Sequence, residues 1–221
     1  MTDATASEQE LSKQFITAMG QVATGVTVVS TDGAGGRFAQ TVSAMCSVSA
    51  DPPLVLICLH GRSPANEAIV TNGVFCVNVL ATQHDHVADT FAGRPWPGKE
   101  PWDFTCGHWA SARSGAPRIH DAIASFDCSV HDVVDAGTHK VYIGRVSHIE
   151  AMDGTPLIYS DRLYHRPIAH EPSVFEEFPD ARPAHLNELV PPIEKTRRST
   201  PHDSNRRRVP RVNPRWSRRM D

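Results

Sequence analysis

Small hydroxyl side chains recur at even spacing along residues 41–49, and they are Thr41, Ser43, Ser47 and Ser49. Because side chains alternate along a strand, these four are expected to share one face. The opposite face, expected to point toward the core, carries Val42, Ala44, Cys46 and Val48. A row of small hydroxyls beside backbone N–H groups suits a ligand rich in carbonyls, ring nitrogens and phosphate. An ordinary half-solvated strand, in which Ser and Thr contact water, is the alternative that this segment leaves open.

A second candidate site follows the next apolar strand, where Arg62 and Ser63 precede Pro64. Ser at an N-cap followed by Pro at the first helical position predicts a helix, here running to Thr71. The free N–H groups at a helix start attract anions, and Arg62 adds positive charge while Ser63 adds a hydroxyl. The pattern indicates a phosphate site, with a plain helix cap and a solvated arginine as the alternative.

His139 begins a predicted strand immediately after the turn at Gly137. An imidazole at that position could stack on, or hydrogen-bond to, a second ligand at the rim of a sheet. A solvated turn histidine remains the alternative.

Two histidine-containing tripeptides, 84–86 and 106–108, raise the question of a metal site. Neither implies a third ligand, so no metal site is predicted and both are expected to be polar loop or surface residues. The chain also lacks GxSxG, HExxH and an evident pair of carboxylates. We therefore expect a protein that holds a ligand without supplying a catalytic nucleophile.

The elements that would position these residues are mainly strands. Periodicity and turn signals predict strands at 26–30, 41–49, 54–59, 74–80, 124–134, 139–150 and 157–164, with helices at 7–21, 63–71 and 82–91. Short turns between strands of alternating character favour an antiparallel barrel. The glycine cluster 33–36 lies between two strands and does not fit GxGxxG, which excludes a dinucleotide-binding βαβ unit. The apolar face of the first helix is marked by Leu11, Phe15, Ala18 or Met19, and Val22.

Charge divides the chain unequally. Residues 192–221 contain ten Lys/Arg and three Asp/Glu, a balance of +7, so the first 191 residues carry −10. Nine of the seventeen prolines lie between Pro167 and Pro214, where apolar periodicity is lost. This composition predicts one domain at 1–170 and a Pro-rich, basic, flexible extension at 171–221. With no signal-peptide pattern, no membrane-spanning run and an odd number of cysteines, a cytoplasmic protein is expected.

Taken together, several motifs in a fixed order resemble the short-chain flavin reductases, the reductase partners of two-component flavin monooxygenases such as 4-hydroxyphenylacetate 3-monooxygenase reductase. They are TVSAMCSVSADPP from Thr41, Ser63 with its helix, GVFCVNVL from Gly73, Phe91-Ala92-Gly93, SFDC from Ser125, GTHKVYIGRV from Gly137 and PLIYSDRLYHR from Pro156. The resemblance covers roughly residues 10–168. It implies a mainly β fold, the antiparallel FMN-binding split β-barrel with a few helices, assembled as a homodimer.

The resemblance also implies site residues. Thr41, Val42, Ser43 and Ala44 would line the isoalloxazine and ribityl chain, and Ser47, Val48 and Ser49 would add backbone and hydroxyl contacts. Ser63 with Arg62 would bind the phosphate. His139 would lie on the nicotinamide side, with Tyr164 and Arg166 nearby. No residue is expected to act as a nucleophile, because the cofactors carry the chemistry.

The implied activity is hydride transfer from NADH or NADPH to FMN or FAD, which supplies reduced flavin to a partner monooxygenase. Two alternatives remain at this point. One is a flavin-binding module without turnover, either a redox sensor or a protein that uses its basic end to bind nucleic acid, although nucleic-acid binding is not expected. The other is an enzyme like pyridoxamine-phosphate oxidase, which shares the split barrel.

Overall fold

The computed structural model describes residues 2–169, with side chains from residue 7 onward. This part contains three α-helices: α1 (Thr2–Gly20), α2 (Ala65–Asn72) and α3 (Asp85–Phe91). The strands are β1 (Thr24–Gly25), β2 (Thr27–Thr31), β3 (Phe38–Val42), β4 (Met45–Ala50), β5 (Pro53–His60), β6 (Val74–Val79), β7 (Trp109–Ser111), β8 (Pro117–Ile119), β9 (Ala124–Ala136), β10 (His139–Ala151), β11 (Ile158–Ser160) and β12 (Leu163–His165). The predicted extension, 171–221, lies outside the described residues.

Seven strands form the main sheet in the order β3-β2-β6-β9-β10-β5-β4, and every neighbouring pair is antiparallel. β3 also contacts β5, so the two ends of the sheet curl toward each other around an apolar interior. Ile57, Leu59, Phe75 and Tyr142 are fully buried there. The mainly β, antiparallel prediction is confirmed.

The outer face of the sheet is covered at one end by α3. Both faces of β2 are buried, because Val29 points into the barrel while Val28 packs in a second cluster with Val87 and Phe91 of α3. β2 is therefore paired with β3 on one side and β6 on the other, and a buried apolar layer covers each of its faces. α3 is thereby held beside β3, which matters for the site below.

The predicted strand 41–49 is wrong in one respect, because it is two strands. β3 ends at Val42 and pairs with β2, whereas β4 begins at Met45 and pairs with β5. The break at Ser43 and Ala44 changes the phase of the alternation. Val42 is buried as predicted, but Ala44, Cys46 and Val48 are exposed, and Met45 packs against the barrel interior instead.

Three other sequence predictions need correction. α1 ends at Gly20 and does not start with a cap at Ser7, and its apolar face is exposed: the accessible fraction is 67% at Leu11 and 63% at Phe15. The predicted strand 157–164 is a hairpin of β11 and β12, whose turn places Asp161 and Arg162 at positive φ. β1, β7 and β8 were not predicted, because strands of two or three residues leave no periodic signal.

None of the helices in the described part combines the length and the hydropathy needed to cross a bilayer.

Candidate functional site

Two cavities lie along β3, and each is lined by a different part of this strand. The first, here the Ser43 cavity, has a volume of about 150 Å³ and is lined by Val26, Thr41, Val42, Ser43, Ala92, Arg94, Tyr159 and Tyr164. The second, here the Trp102 cavity, has a volume of about 230 Å³ and is lined by Arg37, Phe38, Ala39, Gln40, Ser63, Pro64, Ala65, Trp102 and Phe104. Because consecutive residues of one strand line both, a single extended ligand could contact the two cavities at once.

The Ser43 cavity brings together residues that are more than 100 positions apart in the chain. Thr41, Val42 and Ser43 come from the end of β3, and Tyr164 comes from β12. The Thr41 hydroxyl donates to the Ala88 carbonyl oxygen at 2.7 Å. Thr41 therefore ties β3 to α3, while Ser43, which directly follows β3, is exposed and lines the cavity.

Asp89 of α3 organises the polar wall of this cavity. The Tyr164 hydroxyl donates to Asp89 Oδ1 at 2.9 Å, and the Trp96 indole N–H donates to Oδ2 at 3.3 Å. Burial and the neighbouring Asp89 carboxylate raise the pKa of Tyr164 well above its usual range, so the phenol stays protonated as a hydrogen-bond donor.

Arg94 was not singled out from the sequence, although it directly follows the Phe91-Ala92-Gly93 motif. It lines the Ser43 cavity, its backbone N–H donates to the Asp89 carbonyl oxygen at 2.8 Å, and its guanidinium lies 3.8 Å from Asp89 Oδ1. The Arg94 side chain is 64% exposed, which leaves it available to an anionic ligand at the cavity mouth. Its position after a helix end was the only sequence signal, and that signal does not identify its neighbours.

Ser63 lines the Trp102 cavity at the start of α2. Its hydroxyl donates to Gln40 Oε1 and accepts the Ala65 backbone N–H at 3.3 Å. The helix begins at Ala65 rather than at Pro64 and ends at Asn72, one residue beyond the predicted Thr71, with Gly73 in the left-handed region at φ 69°. Arg62 is exposed and lines neither cavity, and its backbone N–H donates to the His60 imidazole at 3.1 Å.

His139 lies at the far end of the β5–β10 pair, opposite His60. The two imidazole rings meet edge to face with centroids 5.2 Å apart, and Nδ1 of His139 is 2.9 Å from the Thr138 hydroxyl. Both rings are exposed, so they form a rim that a planar ligand can reach. Neither His139 nor Arg166, which is exposed beyond β12, lines the two cavities.

β4 supplies the remaining predicted residues, Ala44 just before it and Ser47, Val48 and Ser49 within it. It is the last strand of the sheet, so one side of its backbone has no strand partner among the described residues. A register shift between Ser47 and Ser49 places a bulge at Val48, which leaves Val48 without a partner residue in β5. Free peptide N–H groups flanked by small side chains are suited to bind carbonyl and ring-nitrogen acceptors.

The comparisons with known proteins agree with this geometry. The model of the flavin reductase like domain matches residues 19–167. The FMN reductase (NADH) RutF of Ancylobacter novellus is 40% identical over 154 residues, which cover 69% of this chain and 83% of that protein.

Two solved structures give the same result. The NADH:FAD oxidoreductase SgcE6 of Streptomyces globisporus C-1027 superposes with a TM-score of 0.62 at 30% identity, covering 69% of this chain and 90% of its own. The homolog of nitrilotriacetate monooxygenase component B from Mycobacterium thermoresistibile gives a TM-score of 0.64 at 31% identity, covering 75% of this chain and 96% of its own. These neighbours carry the split-barrel fold, so that part of the prediction is confirmed. The chain belongs to the flavin reductase family.

Proposed function

We propose that this protein is an NAD(P)H-dependent flavin reductase that transfers hydride from a nicotinamide cofactor to FMN or FAD. Membership of the flavin reductase family supports this activity, and the relatives described above are named for reduction of FMN or FAD with NADH. The observation that carries the proposal is the margin formed by the end of β3 and the edge of β4. There a backbone with small, exposed side chains lies beside a cavity with a hydroxyl, a phenol and a guanidinium.

The residues present fit a flavin. Ser43 and Ala44 are both exposed and small, so a planar ring system can approach the backbone between β3 and β4 without displacing a side chain. Donors at the edge of β4, at Ser47 and Ser49, suit the carbonyl-rich pyrimidine end of the ring. Flavin, when bound, supplies the hydride acceptor, so the protein needs to position two rings rather than to provide a nucleophile.

The proposed roles keep the predicted residues and refine two of them. Ser43, Ala44 and the β4 residues Ser47, Val48 and Ser49 contact the ring and ribityl chain, while Val42 forms the floor. Thr41 acts by anchoring α3 through Ala88. Ser63 and Arg62 bind the phosphate, which requires the Ser63 hydroxyl to exchange its bond to Gln40 for one to the ligand.

On the nicotinamide side, His139 contacts the second ring from the rim that it shares with His60. Tyr164 is kept protonated by its hydrogen bond to Asp89. It forms part of the wall of the Ser43 cavity and does not transfer a proton in the reaction. Arg94 joins the predicted set as a cation beside Ser43, and Arg166, just beyond β12, stays in that set. These residues orient the ligands and exclude water from the reacting faces.

The partner of the reaction is a flavin-dependent monooxygenase that receives reduced flavin, in a cytoplasmic setting. Structural neighbours that are components of monooxygenases support this partner. We place the homodimer contact on the exposed apolar face of α1, where Leu11, Phe15, Ile16 and Met19 are 67%, 63%, 58% and 48% accessible. Replacing Leu11 and Phe15 together by Glu should shift the protein to the monomer in size-exclusion chromatography with light scattering, whereas a monomeric wild-type protein would contradict the placement.

The comparisons favour the reductase over both alternatives, the non-catalytic flavin-binding module and the enzyme like pyridoxamine-phosphate oxidase. The deciding experiment follows NADH and NADPH oxidation at 340 nm with FMN, FAD and riboflavin as acceptors. We expect turnover that depends on added flavin. Folded protein that oxidises neither nucleotide with any of the three flavins would overturn the proposal.

A further inference from the structure

A buried carboxamide contacts the turn that carries the predicted phosphate residues, here the 60–63 turn. Asn66, the second residue of α2, is 5% accessible, whereas the first three residues of the turn are exposed. The Ser63 backbone N–H donates to the His60 carbonyl oxygen at 2.9 Å, which closes the turn. The proposed function assigns Arg62 and Ser63 to the flavin phosphate and leaves Asn66 without a role.

Asn66 holds this turn with both hydrogens of its side-chain amide. Nδ2 donates to the carbonyl oxygen of His60 at 2.9 Å and to that of Gly61 at 3.2 Å. An amide nitrogen has two N–H donors, so these two bonds use its full donor capacity. Two successive peptide groups of an exposed turn are thereby fixed by a side chain from the protein interior.

The other end of the carboxamide is fixed by β10. The hydroxyl of Tyr142, a fully buried residue, donates to Asn66 Oδ1 at 2.9 Å. Burial, followed by the negative charge of Asp135, raises the pKa of Tyr142, so the phenol stays protonated as this donor. The opposite orientation of the carboxamide would place Oδ1 against two carbonyl oxygens, so only one orientation satisfies all three bonds. Asn66 therefore connects the turn to a rigid strand of the sheet.

A second anchor joins the turn to the hairpin of β9 and β10. The Gly61 backbone N–H donates to the Thr138 carbonyl oxygen at 2.8 Å, and a Cβ atom on Gly61 would lie 3.3 Å from that oxygen. The backbone of the turn is thus anchored to two neighbouring elements, while Arg62 is exposed and Ser63 lines the Trp102 cavity. A fixed backbone with accessible side chains is the arrangement expected of a binding turn that is preorganised for its ligand.

We infer that Asn66 is a positioning residue that makes the 60–63 turn select flavins carrying a phosphate over riboflavin. The inference rests on the proposed function, in which Arg62 and Ser63 bind that phosphate. Asn66 acts through the turn: its bonds hold the two side chains in one arrangement, so less conformational freedom is lost when the phosphate binds. Loss of these bonds should weaken phosphate binding and leave the ring contacts at Ser43 and β4 unchanged.

The experiment measures dissociation constants of FMN and riboflavin, which differ only in the phosphate, by fluorescence titration without any nicotinamide. We expect wild type to bind FMN more tightly than riboflavin. In Asn66→Ala, which changes no charge, the FMN dissociation constant should rise about tenfold, the scale of one or two lost hydrogen bonds, and that of riboflavin by less than about twofold. A merely structural role would weaken both flavins equally. That result, or an unchanged FMN dissociation constant, would overturn the inference.

Tyr142→Phe is the matched control. It removes the hydroxyl that donates to Asn66 Oδ1 but leaves both bonds from Nδ2 to the turn. Its melting temperature should fall, while the ratio of the riboflavin to the FMN dissociation constant should change by less than about twofold. If Tyr142→Phe reduced this ratio as much as Asn66→Ala does, the effect would arise from packing in the buried layer, and the inference would be wrong.

Melting temperatures show whether each variant folds, and a second variant decides the matter if Asn66→Ala does not. Asn66→Ser has one hydroxyl donor, so at least one of the two bonds to the turn is lost and the ratio should still fall about threefold or more. An unchanged ratio in Asn66→Ser would then overturn the inference.

The same titrations separate this inference from the proposed function, because they need no turnover. Failure of wild type to oxidise NADH with any flavin would contradict the proposed function, and the dissociation constants would still decide the role of Asn66. Equal dissociation constants of FMN and riboflavin in a wild-type protein that oxidises NADH with both would overturn the inference and leave the reductase activity standing.

Discussion

Polar groups are arranged in opposite ways in two regions of this barrel. In the sheet interior, Asn78 is fully buried and both ends of its carboxamide are hydrogen-bonded. Oδ1 accepts from the Ile119 N–H at 2.8 Å, and Nδ2 donates to the Val28 carbonyl oxygen at 3.1 Å. Asp127, also buried, accepts from the backbone N–H and hydroxyl of Ser114 at 2.9 and 2.5 Å.

At the β3–β4 margin, by contrast, Ser43, Ala44 and Ser47 are exposed, and β4 ends the sheet. Buried polar groups that are satisfied within the chain stabilise one fold, because each would be costly to leave unpaired. Polar groups left open at an edge are available to a ligand. The comparison teaches that stability and binding are carried by different strands, so substitutions should affect one property and spare the other.

The largest effect is expected from filling the interior at Gly144 of β10. A Cβ atom there would lie 2.4 Å from Cζ of Phe75 and 3.0 Å from Cβ of Cys128, both fully buried. Gly144→Val should therefore lower the free energy of unfolding by about 3 kcal/mol or more through overpacking. Urea denaturation measures it. A variant of wild-type stability would show that Phe75 can move, and the interior would be looser than its packing indicates.

Removing the hydrogen-bonding group of Asn78 should rank second. Asn78→Leu keeps the approximate volume but leaves the Ile119 N–H and the Val28 carbonyl without that partner, so we expect a loss of about 3 kcal/mol. Ser125→Ala, which removes one 3.2 Å bond to Asn78, is the control and should cost about 1 kcal/mol. At a temperature where both variants are folded, their flavin affinity should match that of wild type. A large change in flavin affinity would show that the interior residues also contribute to binding.

At the margin the expected pattern is reversed. Ser43→Leu should weaken flavin binding about a hundredfold, or about 2.7 kcal/mol, because a large side chain blocks approach to the backbone, while unfolding changes by less than about 0.5 kcal/mol. Ser129→Leu, at an exposed serine of β9 outside both cavities, is the control. Fluorescence titration with FMN and FAD reports the affinity. Unchanged affinity in Ser43→Leu would mean that this face is merely solvated.

A smaller effect is expected at the rim. His139→Ala should slow reduction of prebound flavin by NADH by about 1–2 kcal/mol, the scale of one lost hydrogen bond or ring contact, and leave the flavin dissociation constant unchanged. Stopped-flow absorbance isolates that step, with His131→Ala, an exposed histidine of β9, as the control. The reverse outcome, altered flavin affinity with an unchanged reduction rate, would assign His139 to the flavin instead.

The smallest effect concerns a pair away from the margin, between a buried histidine and a partly exposed carboxylate. His84, expected at the surface, is buried, and its Nε2 lies 3.1 Å from Asp121 Oδ1. Partial burial opposes ionisation of Asp121, but the attraction to His84 and hydrogen bonds outweigh it and hold the Asp121 pKa below its usual 3.8. A lowered folded-state pKa means that this stabilisation is present above pH 3.8 and is lost as the pH falls further.

Wild type should therefore exceed Asp121→Asn in unfolding free energy at pH 5, by less than about 1 kcal/mol because the carboxylate is 45% exposed, and the gap should close toward pH 3. Urea titrations at several pH values measure it. If the difference in unfolding free energy widened on acidification, the direction assigned to the Asp121 pKa shift would be wrong. Flavin affinity should not differ between the two proteins.

The elements with strong local signals were predictable from the sequence. β9 and β10 alternate over long runs, and their predicted ranges, 124–134 and 139–150, lie within the observed strands. The end of α2 followed from Asn72-Gly73, because a left-handed glycine stops a helix wherever it occurs. The ordered motifs placed the chain in its family and indicated the strand end that carries Thr41 and Ser43.

Other features depended on partners distant in the chain. Period-two alternation defines two faces of residues 41–49 but does not say which face is buried, since that depends on the strand that each half pairs with and on the break at Ser43 and Ala44. The same holds for α1, whose apolar face was predictable while its exposure was not.

The site follows the same division. Local pattern predicted Ser43 and Ser63 as ligand-facing residues, which stays a prediction, but only the tertiary structure brought Tyr164, Asp89 and Arg94 to Ser43, and Arg37 and Trp102 to Ser63. The physical reason is that a side chain's neighbours across a barrel are set by strand order and by the curl of the sheet, which are properties of the whole chain. Secondary-structure propensity, by contrast, is set by the residue and its immediate neighbours. The sequence by itself therefore determined the elements and the ordered motifs, but not which side chains meet in the site.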